Sequence, residues 1–560
     1  MKKMIIGLFI TFLSIQVFAA DPDSPANNPA NVMNALNQTL PSGQNSNQSE
    51  FQTTSNAQYI HYAESVKQKI MVKQVELVDA KVIPASVQKV SQSLVGEKVS
   101  FKEVQQLAAA VEKAYRNAGF ILVQVILPPQ EIDPNAGVIK LQVINGEIKH
   151  IIFTGDDPRA AKTQLERYAY QVEIEDPISY HSIDRFLTLA NQLPGIQVTA
   201  TLTPDKQVPQ AADLIVQVKE KPVAGFINAN NRGTQYIGPY QSSVGVSLYD
   251  LFGADSVNAV GATSLNSVNQ MRYGSLGYDI VIGPYATEIN PSVTQTLTQP
   301  GGSLNNLGMS GVSTKYNLNV NQPLYSSAQQ NLVLQTAFYH VDSNNNLYGD
   351  ELQLFDDHVT ALSLGLNYRG LWWQTYHDVT FSATTGMPIL GTPTTLSDPS
   401  VVGAQTTFVH FNLATSSVRY ITQRTSVALS SQVQYSPNTL VSSEQIGYGG
   451  QQFGQAYTPY IISGNSGVMG SLALRYDLPL YWNFTLLQPE IFYDPGMVFY
   501  NTIPGTNNSN AVAQSAGIGL NMQWMQNVSA TLTLAKPISI TQTPGTNMSW
   551  GGFFNVTLMM

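Results

Sequence analysis

Leu362-Ser363-Leu364-Gly365-Leu366-Asn367-Tyr368 alternates apolar residues with small or polar ones at every step. A period of two puts Leu362, Leu364, Leu366 and Tyr368 on one face of a strand and Ser363, Gly365 and Asn367 on the other. The same grammar recurs on either side. Val244, Val246 and Leu248 alternate with Ser243, Gly245, Ser247 and Tyr249. Val427, Leu429, Val433 and Tyr435 alternate with Ala428, Ser430, Gln432 and Gln434. Phe554, Val556, Leu558 and Met560 do so with Asn555 and Thr557. The pattern begins after Pro222. Only eight of the 28 Lys and Arg, and fifteen of the 37 Asp and Glu, lie beyond that proline. A water-exposed domain carries about a quarter charged residues. A wall with lipid on one side and polar solvent on the other needs far fewer.

Such strands must close on themselves, because every backbone group within lipid has to be paired. Dividing residues 223–560 by roughly 20 residues per strand and loop gives about 16 or 17 strands, and bacterial barrels take the even number. The expected fold of this segment is a 16-stranded antiparallel transmembrane β-barrel with aromatic girdles and a wet lumen. The Asn-, Gly- and Pro-rich stretches near 284–305 and 384–405 read as longer loops. A soluble sandwich or propeller is the competing fold, and the missing surface charge argues against it.

The chain has 560 residues, a formal net charge of -9 and no cysteine. That charge offers no basic stripe for nucleic acid. The missing thiols exclude a disulfide scaffold, a cysteine metal site and a cysteine nucleophile. Lys2 and Lys3, an apolar run from Met4 to Phe18, then Ala19-Ala20-Asp21 read as a signal peptide over 1–20. The run is too short to span a bilayer as a helix. Residues 21–71 are rich in Asn, Gln, Ser and Pro and read as a tether. Within it Val32, Met33, Leu36 and Leu40 share a helical face, which makes a short plug helix at 32–40 one reading and transient order the other.

Two small modules follow. Lys73–Val78 reads as a strand, and Pro84 opens a helix that Gly96 ends. Ser100 and Glu103 have capping-box spacing. Val104, Leu107, Ala108, Val111 and Tyr115 form the apolar stripe of the second helix. Ile121–Leu127 and Val138–Ile144 read as strands. The order returns as strand Ile148–Phe153, helices Arg159–Tyr170 and from Ser179, and strands Ile196–Leu202 and Leu214–Val218. Asn145-Gly146 joins the units with little slack. Two α+β modules, 72–146 and 147–222, each β-α-α-β-β, therefore precede the barrel at 223–560. Exposed edges of such small sheets can accept an extended peptide as an added strand.

This arrangement resembles tandem POTRA domains ahead of an outer-membrane barrel. Gly119-Phe120, Leu127-Pro128-Pro129-Gln130-Glu131 and Gly137-Val138-Ile139-Lys140-Leu141-Gln142-Val143-Ile144-Asn145-Gly146-Glu147-Ile148 are similar to the first POTRA of two-partner secretion transporters, the haemolysin activation/secretion family. Glu444-Gln445-Ile446-Gly447-Tyr448-Gly449-Gly450-Gln451-Gln452-Phe453-Gly454-Gln455-Ala456-Tyr457 stands where that family has its sixth extracellular loop. Pro489-Glu490-Ile491-Phe492-Tyr493-Asp494-Pro495-Gly496 resembles its phenylalanine-x-aspartate strand. The likeness covers about 72–560.

The resemblance implies a 16-stranded barrel whose loop near 444–467 folds into the lumen. Its tip would comprise Gly449, Gly450, Phe453, Gly454, Gln455, Ala456 and Tyr457, meeting Phe492 and Asp494 on the wall. The family carries an arginine where this chain has Gln455. The expectation is docking by Phe453 and Tyr457 with a neutral Gln455–Asp494 hydrogen bond, weaker than a charge-assisted one. Arg475 is the candidate for the missing charge, and Gln455→Arg is expected to raise protection of the loop from protease. The terminal Met560 departs from the usual aromatic, so recognition by the barrel-assembly machinery is expected to lean on Phe554.

No catalytic set emerges. His61, His150, His181, His340, His358, His377 and His410 fall in no metal spacing. Asp356-Asp357-His358 reads as a solvated loop before it reads as a cation site. There is no nucleophile elbow and no P-loop. The reading expects neither enzyme activity nor cofactor nor metal. The implied function is export of a large unfolded partner exoprotein, an adhesin or haemolysin, by a monomer seated in outer-membrane lipid with its modules in the periplasm. A barrel-assembly factor of the same superfamily and a passive diffusion porin are the alternatives.

Overall fold

The structure, a computed structural model, describes residues 25–40, 51–53, 69–133, 137–158, 161–205, 211–480, 483–501, 510–541 and 548–560. The expected signal peptide and most of the expected tether lie outside the described residues.

Beyond Pro222 the chain closes into one antiparallel barrel of 16 strands. The last strand, Gly551–Met559, pairs with the first, Val223–Asn230, and completes the ring. The period-two reading decides which side meets lipid. Val244, Val246, Leu248, Leu364, Leu366 and Leu429 stand exposed on the outside, whereas Ser243, Asn367 and Gln434 are buried within. Trp372, Trp373, Tyr376, Tyr420 and Trp524 are exposed at or beside strand ends, where amphipathic rings suit the interface. Turns such as 283–286, 327–329 and 373–374 lie on the rim where the N-terminal modules join, and the longer loops 387–408 and 436–465 lie on the other.

One expected loop is a strand. Residues 284–305 contain strand Thr287–Thr298, with connecting segments before and after it. Its Thr, Asn and Gln residues look like loop chemistry, but one face of a barrel strand is required to be polar.

The first module has a four-stranded sheet in the order Lys98–Val99, Ile70–Val78, Gly137–Ile144, Gln124–Ile126, covered by helices Ala85–Ser91 and Phe101–Asn117. The capping box is formed: Glu103 N–H donates to Ser100 Oγ, and Ser100 N–H donates to the Glu103 carboxylate at 2.6 Å. That backbone bond also holds the Glu103 carboxyl below its ordinary value. Leu107, Val111 and Tyr115 pack on Val75, Ile139 and Leu141. The strand expected to reach Leu127 stops at Ile126, because Pro128 and Pro129 bring no N–H to the ladder.

In the second module, Ile196–Pro204, Ala211–Glu220 and Glu147–Gly155 form the sheet, with helices Lys162–Glu173 and Tyr180–Asn191 against it. A further strand, Phe51–Thr53, lies parallel on the Ile196–Pro204 edge, with Phe51, Gln52 and Thr53 opposite Ala200, Thr201 and Leu202. This module is seated on the barrel rim. Ala254, Val281 and Ala286 of the barrel join its core. Ala161 N–H donates to Asp250 Oδ1 at 2.6 Å and Ala328 N–H to Asp184 Oδ2 at 3.0 Å. Burial raises the Asp184 carboxyl above its ordinary value, and the Ala328 N–H opposes the rise.

Candidate functional site

The loop near 444–467 enters the barrel. Its base is a turn at Ser442–Glu444, followed by a hairpin of Ile446–Tyr448 with Ile462–Gly464. Between these strands Gly449 and Gly450 have φ of 114° and 109°, conformations open to glycine and strained for other residues. The tip closes on itself, with Gly449 N–H donating to the Phe453 carbonyl and Gly450 N–H to the Tyr457 carbonyl, both at 3.1 Å. Phe453, Ala456 and Tyr457 are buried in one cluster with Tyr448 and the wall residues Ala473, Phe492 and Ala513. The Tyr457 hydroxyl shares its proton between the Gln514 and Ser539 carbonyls at 3.1 and 2.8 Å.

Asp494 is fully buried beneath this tip, at 0% exposure. Gln455 does meet it, through the backbone rather than the side chain: Gln455 N–H donates to Asp494 Oδ2 at 3.0 Å. Ser515 Oγ donates to the same oxygen at 3.3 Å. The charge does not come from Arg475, whose Nε donates to Glu490 Oε2 on the neighbouring strand at 2.8 Å. It comes from Arg232, just past the first barrel strand. Arg232 is buried, its Nη1 donates to the Gln455 carbonyl at 2.7 Å, and Asp494 is the charge that acts on it. Its guanidinium carbon lies 4.2 Å from the centre of the Phe553 ring, which favours the cation further. The peptide of Gln455 thus bridges an anion and a cation contributed by strands far apart in sequence.

Sequence reasoning also missed Tyr448, whose hydroxyl donates to the Asp494 carbonyl at 2.6 Å. A Cβ on Gly496 would come within 2.2 Å of its ring, and one on Gly454 within 2.5 Å. The two glycines are therefore the slot in which this ring lies. The remaining predicted residues stand apart from the lumen. The Gln130 amide forks onto Lys140, donating to its carbonyl at 2.7 Å and accepting from its N–H at 2.8 Å. It takes the ladder position that Pro128 and Pro129 leave empty.

A second body occupies the lumen. Helix α1, Pro29–Thr39, starts at Asn28, whose side chain accepts from Ala30 N–H, and continues with Pro29 at its first position. Its Val32, Met33 and Leu36 pack on Ile237, Ala262, Met271 and Tyr273 of the barrel. Asn31 Nδ2 donates to Ser442 Oγ at 3.1 Å, Asn34 Nδ2 to the Ser443 carbonyl at 3.3 Å, and the Tyr273 hydroxyl to Asn37 Oδ1 at 2.9 Å. The helix thus leans on the base of the loop. Glu444 anchors that base, accepting from Tyr339 Oη at 2.9 Å and pairing with His410 Nε2 at 3.2 Å. Beside α1 lies a polar cavity of about 500 Å³ lined by Asn37, Tyr273, Thr294, Lys315, Asn317 and Glu444.

A barrel with an in-folded loop, a helix in its lumen and two small modules on one rim defines a class of outer-membrane polypeptide transporters. Residues 213–522 match the family of haemolysin secretion/activation proteins ShlB/FhaC/HecB, and residues 70–146 match the ShlB-type POTRA domain. The chain belongs to that haemolysin secretion/activation family. It is 22% identical to the heme/hemopexin transporter protein HuxB of Haemophilus influenzae, over 94% of this chain and 93% of that protein. The fold is similar to that of CdiB from Escherichia coli, at a TM-score of 0.74 and 19% identity, covering 90% of this chain and 93% of that one. It is also similar to CdiB from Acinetobacter baumannii, at a TM-score of 0.63 and 16% identity, covering 94% and 96%. The chain is an outer-membrane two-partner secretion transporter with its modules in the periplasm and a secreted polypeptide as client.

Proposed function

We propose that the periplasmic modules take up an extended segment of one partner exoprotein by strand addition, and that the client then passes through the lumen when α1 leaves it. The observation that carries this reading is the occupied lumen. A passive pore gains nothing from a helix held by Asn31, Asn34 and Asn37 against a loop base and the barrel wall. The same occupancy disfavours the porin alternative. Drive for transport comes from successive binding steps and from folding outside, with no nucleotide, metal or catalytic group involved. The protein works as a monomer in outer-membrane lipid and is inserted by the barrel-assembly machinery, with Phe554 of the last strand as the recognition aromatic.

Deletion of the gene, followed by assay of the culture medium, tests the reading. Loss of one large secreted protein, with outer-membrane proteins otherwise normal, is the expected result. A general loss of outer-membrane proteins would favour a barrel-assembly factor instead.

A further inference from the structure

Asp356-Asp357-His358, expected in a solvated loop, lies within strand Leu352–Trp372. Period two turns Asp356 and His358 to the outer face, where His358 pairs with Asp342 and Asp356, and turns Asp357 inward. Asp357 is 1% exposed. Its Oδ1 accepts from Ser400 N–H at 3.0 Å, and its Oδ2 has no hydrogen-bond partner. Among the described residues no Lys, Arg or His is in ion-pair contact with it. The orphan oxygen has company. Ser343, Ser313 and Thr296 are its successive register partners across the next three strands. Each is buried, and Ser343 Oγ, Ser313 Oγ and Thr296 Oγ1 have no hydrogen-bond partner either. Asn345, two residues on from Ser343 and on the same face, buries an unpartnered Oδ1. These oxygens line one stretch of lumen wall, at the end of the barrel that carries the longer loops.

Water satisfies buried hydroxyls, but a buried carboxylate without a counter-charge stays costly. We propose that Asp357 and Ser343 are protein ligands of a hard divalent cation, calcium by its donor set, which ties the outer loop 387–408 to the lumen wall. The donors on this face are a carboxylate, hydroxyls and an amide oxygen, with no imidazole or thiol among them. Such oxygen sets select calcium or magnesium over zinc or copper. Adjacent register partners hold their Cβ atoms about 4.5–5.5 Å apart, so an ion at about 2.3–2.6 Å from each oxygen spans Asp357 and Ser343. Magnesium demands a tighter, near-octahedral set and gives up its water reluctantly, so this spacing favours calcium. Ser313 and Thr296 lie too far along the row to ligate the same ion and bind its waters instead. A single carboxylate sets a low affinity, about 0.1–1 mM, suited to the medium outside the cell.

The site is connected to the plug. Ser400, whose N–H holds Asp357, belongs to the outer loop, and its Oγ accepts from Ser442 N–H at 2.9 Å. Ser442 Oγ in turn accepts from Asn31 Nδ2 of α1 at 3.1 Å. The carboxylate, the outer loop, the base of the in-folded loop and α1 are thus joined by three hydrogen bonds in series. Leu396, Ala404 and Phe408 of the outer loop pack with Leu440 and Val441 onto the lumen-facing Val341 and Val359. An uncompensated charge on Asp357 draws water into this junction and loosens it. A cation neutralises the charge and keeps the junction closed, so calcium outside the cell holds α1 in place.

Purified full-length protein tests the site, with a protease that itself needs no calcium. In the parent, about 5 mM calcium should slow cleavage within loop 387–408 about sixfold to fiftyfold relative to chelator, the factor 1 + [L]/Kd at that affinity. Magnesium at the same concentration should slow it less than twofold. Asp357→Asn keeps an acceptor for Ser400 N–H and removes the charge, and its cleavage should be the same with and without calcium. Ser343→Ala removes a ligand without touching Ser400 and should raise the calcium concentration for half protection at least threefold. A parent indifferent to calcium overturns the site. An Asp357→Asn variant that responds as the parent does shows an adventitious ion only and overturns it too. An equal response to magnesium overturns the assignment to calcium, and an unchanged midpoint in Ser343→Ala removes that residue from the ligand set. In planar bilayers, openings of the parent should be at least threefold more frequent with chelator than with calcium on the side of the longer loops, and those of Asp357→Asn should not change. Equal openings of the parent in both media would overturn the link to α1. Neither assay involves a client, so the cation site and the export reading stand or fall separately.

Discussion

Two bodies fill the same lumen and are held in opposite ways. The loop tip is fixed by a buried anion, a buried cation and a packed aromatic cluster: Asp494, Arg232, Tyr448, Phe453 and Tyr457. Helix α1 has no charged residue, packs through Val32, Met33 and Leu36, and reaches the wall and the loop base with three asparagines. Buried charges resist separation because each would be left alone in a poorly solvated site. Neutral side-chain amides exchange their partners for water at about 1 kcal/mol apiece. The loop is therefore built to stay and the helix to leave. At 11 residues α1 is also too short to be stable alone in water, so its order depends on the lumen.

The largest effect that can break this contrast is at Asp494. Asp494→Ala leaves Gln455 N–H without its acceptor and Arg232 without its counter-charge. It removes the acceptor of two hydrogen bonds at a buried position, those of Gln455 N–H and Ser515 Oγ, at about 1–3 kcal/mol each. Limited proteolysis of outer-membrane preparations should show cleavage within 449–457 where the parent resists. A tip that stays protected would place its stability in the aromatic cluster alone. Arg232→Ala comes next. It removes one charge-assisted hydrogen bond, about 1.5–3 kcal/mol, and should expose the same site more weakly. Adding Gln455→Arg to that variant brings a cation back to the tip and should restore protection. Gln455→Arg alone puts a second guanidinium beside Arg232, so the gain in protection that the sequence leads one to expect becomes a loss.

Why Arg232 could not be read from the sequence follows from the topology. Gln455 and Asp494 were legible because each lies in a local motif, and the resemblance to the phenylalanine-x-aspartate strand placed Asp494 on a barrel strand. Arg232 stands 223 positions from Gln455 and reaches it only because the last strand closes on the first. Closure was expected, but the register that sets who meets whom across it was not. Arg475 looked eligible by nearness in sequence and is consumed by Glu490, its register partner one strand over. The strand at Thr287–Thr298 was hidden for a different reason, since a lumen face reads like a loop in composition. The Val32-Met33-Leu36 face was visible within a polar segment, but the neighbouring Asn31, Asn34 and Asn37, which make the contacts to Ser442, Ser443 and Tyr273, looked like linker composition.

The helix side of the comparison gives smaller effects. Asn31→Ala with Asn34→Ala removes the two contacts to the loop base, about 1 kcal/mol each. Single-channel recordings should then show openings about tenfold to thirtyfold more frequent, while the loop tip keeps its protease resistance. Loss of both together would mean that helix and loop form one latch rather than two. Deleting residues 29–39 should leave the pore permanently at its higher conductance.

The faintest effect lies at the joint that holds the second module on the rim, and it separates the lumen from its support. Burial raises the Asp184 carboxyl above its ordinary value although Ala328 N–H donates to it at 3.0 Å. A carboxyl whose folded pKa is raised binds its proton more readily in the native state. Its contribution is therefore fully present below the unfolded pKa and is lost as pH rises through the folded one. Asp184→Asn keeps an acceptor for Ala328 and removes the ionisation. Parent and variant should unfold alike below the ordinary aspartate range and diverge toward neutral pH, with the variant the more stable, as thermal unfolding across a pH series would show. Loop protection and channel opening should not change, since Asp184 touches the turn at Ala328 and neither lumenal body. A parent that is the more stable at neutral pH would mean that the Ala328 bond to the ionised carboxylate outweighs its desolvation, and that the joint is held by charge as the loop tip is.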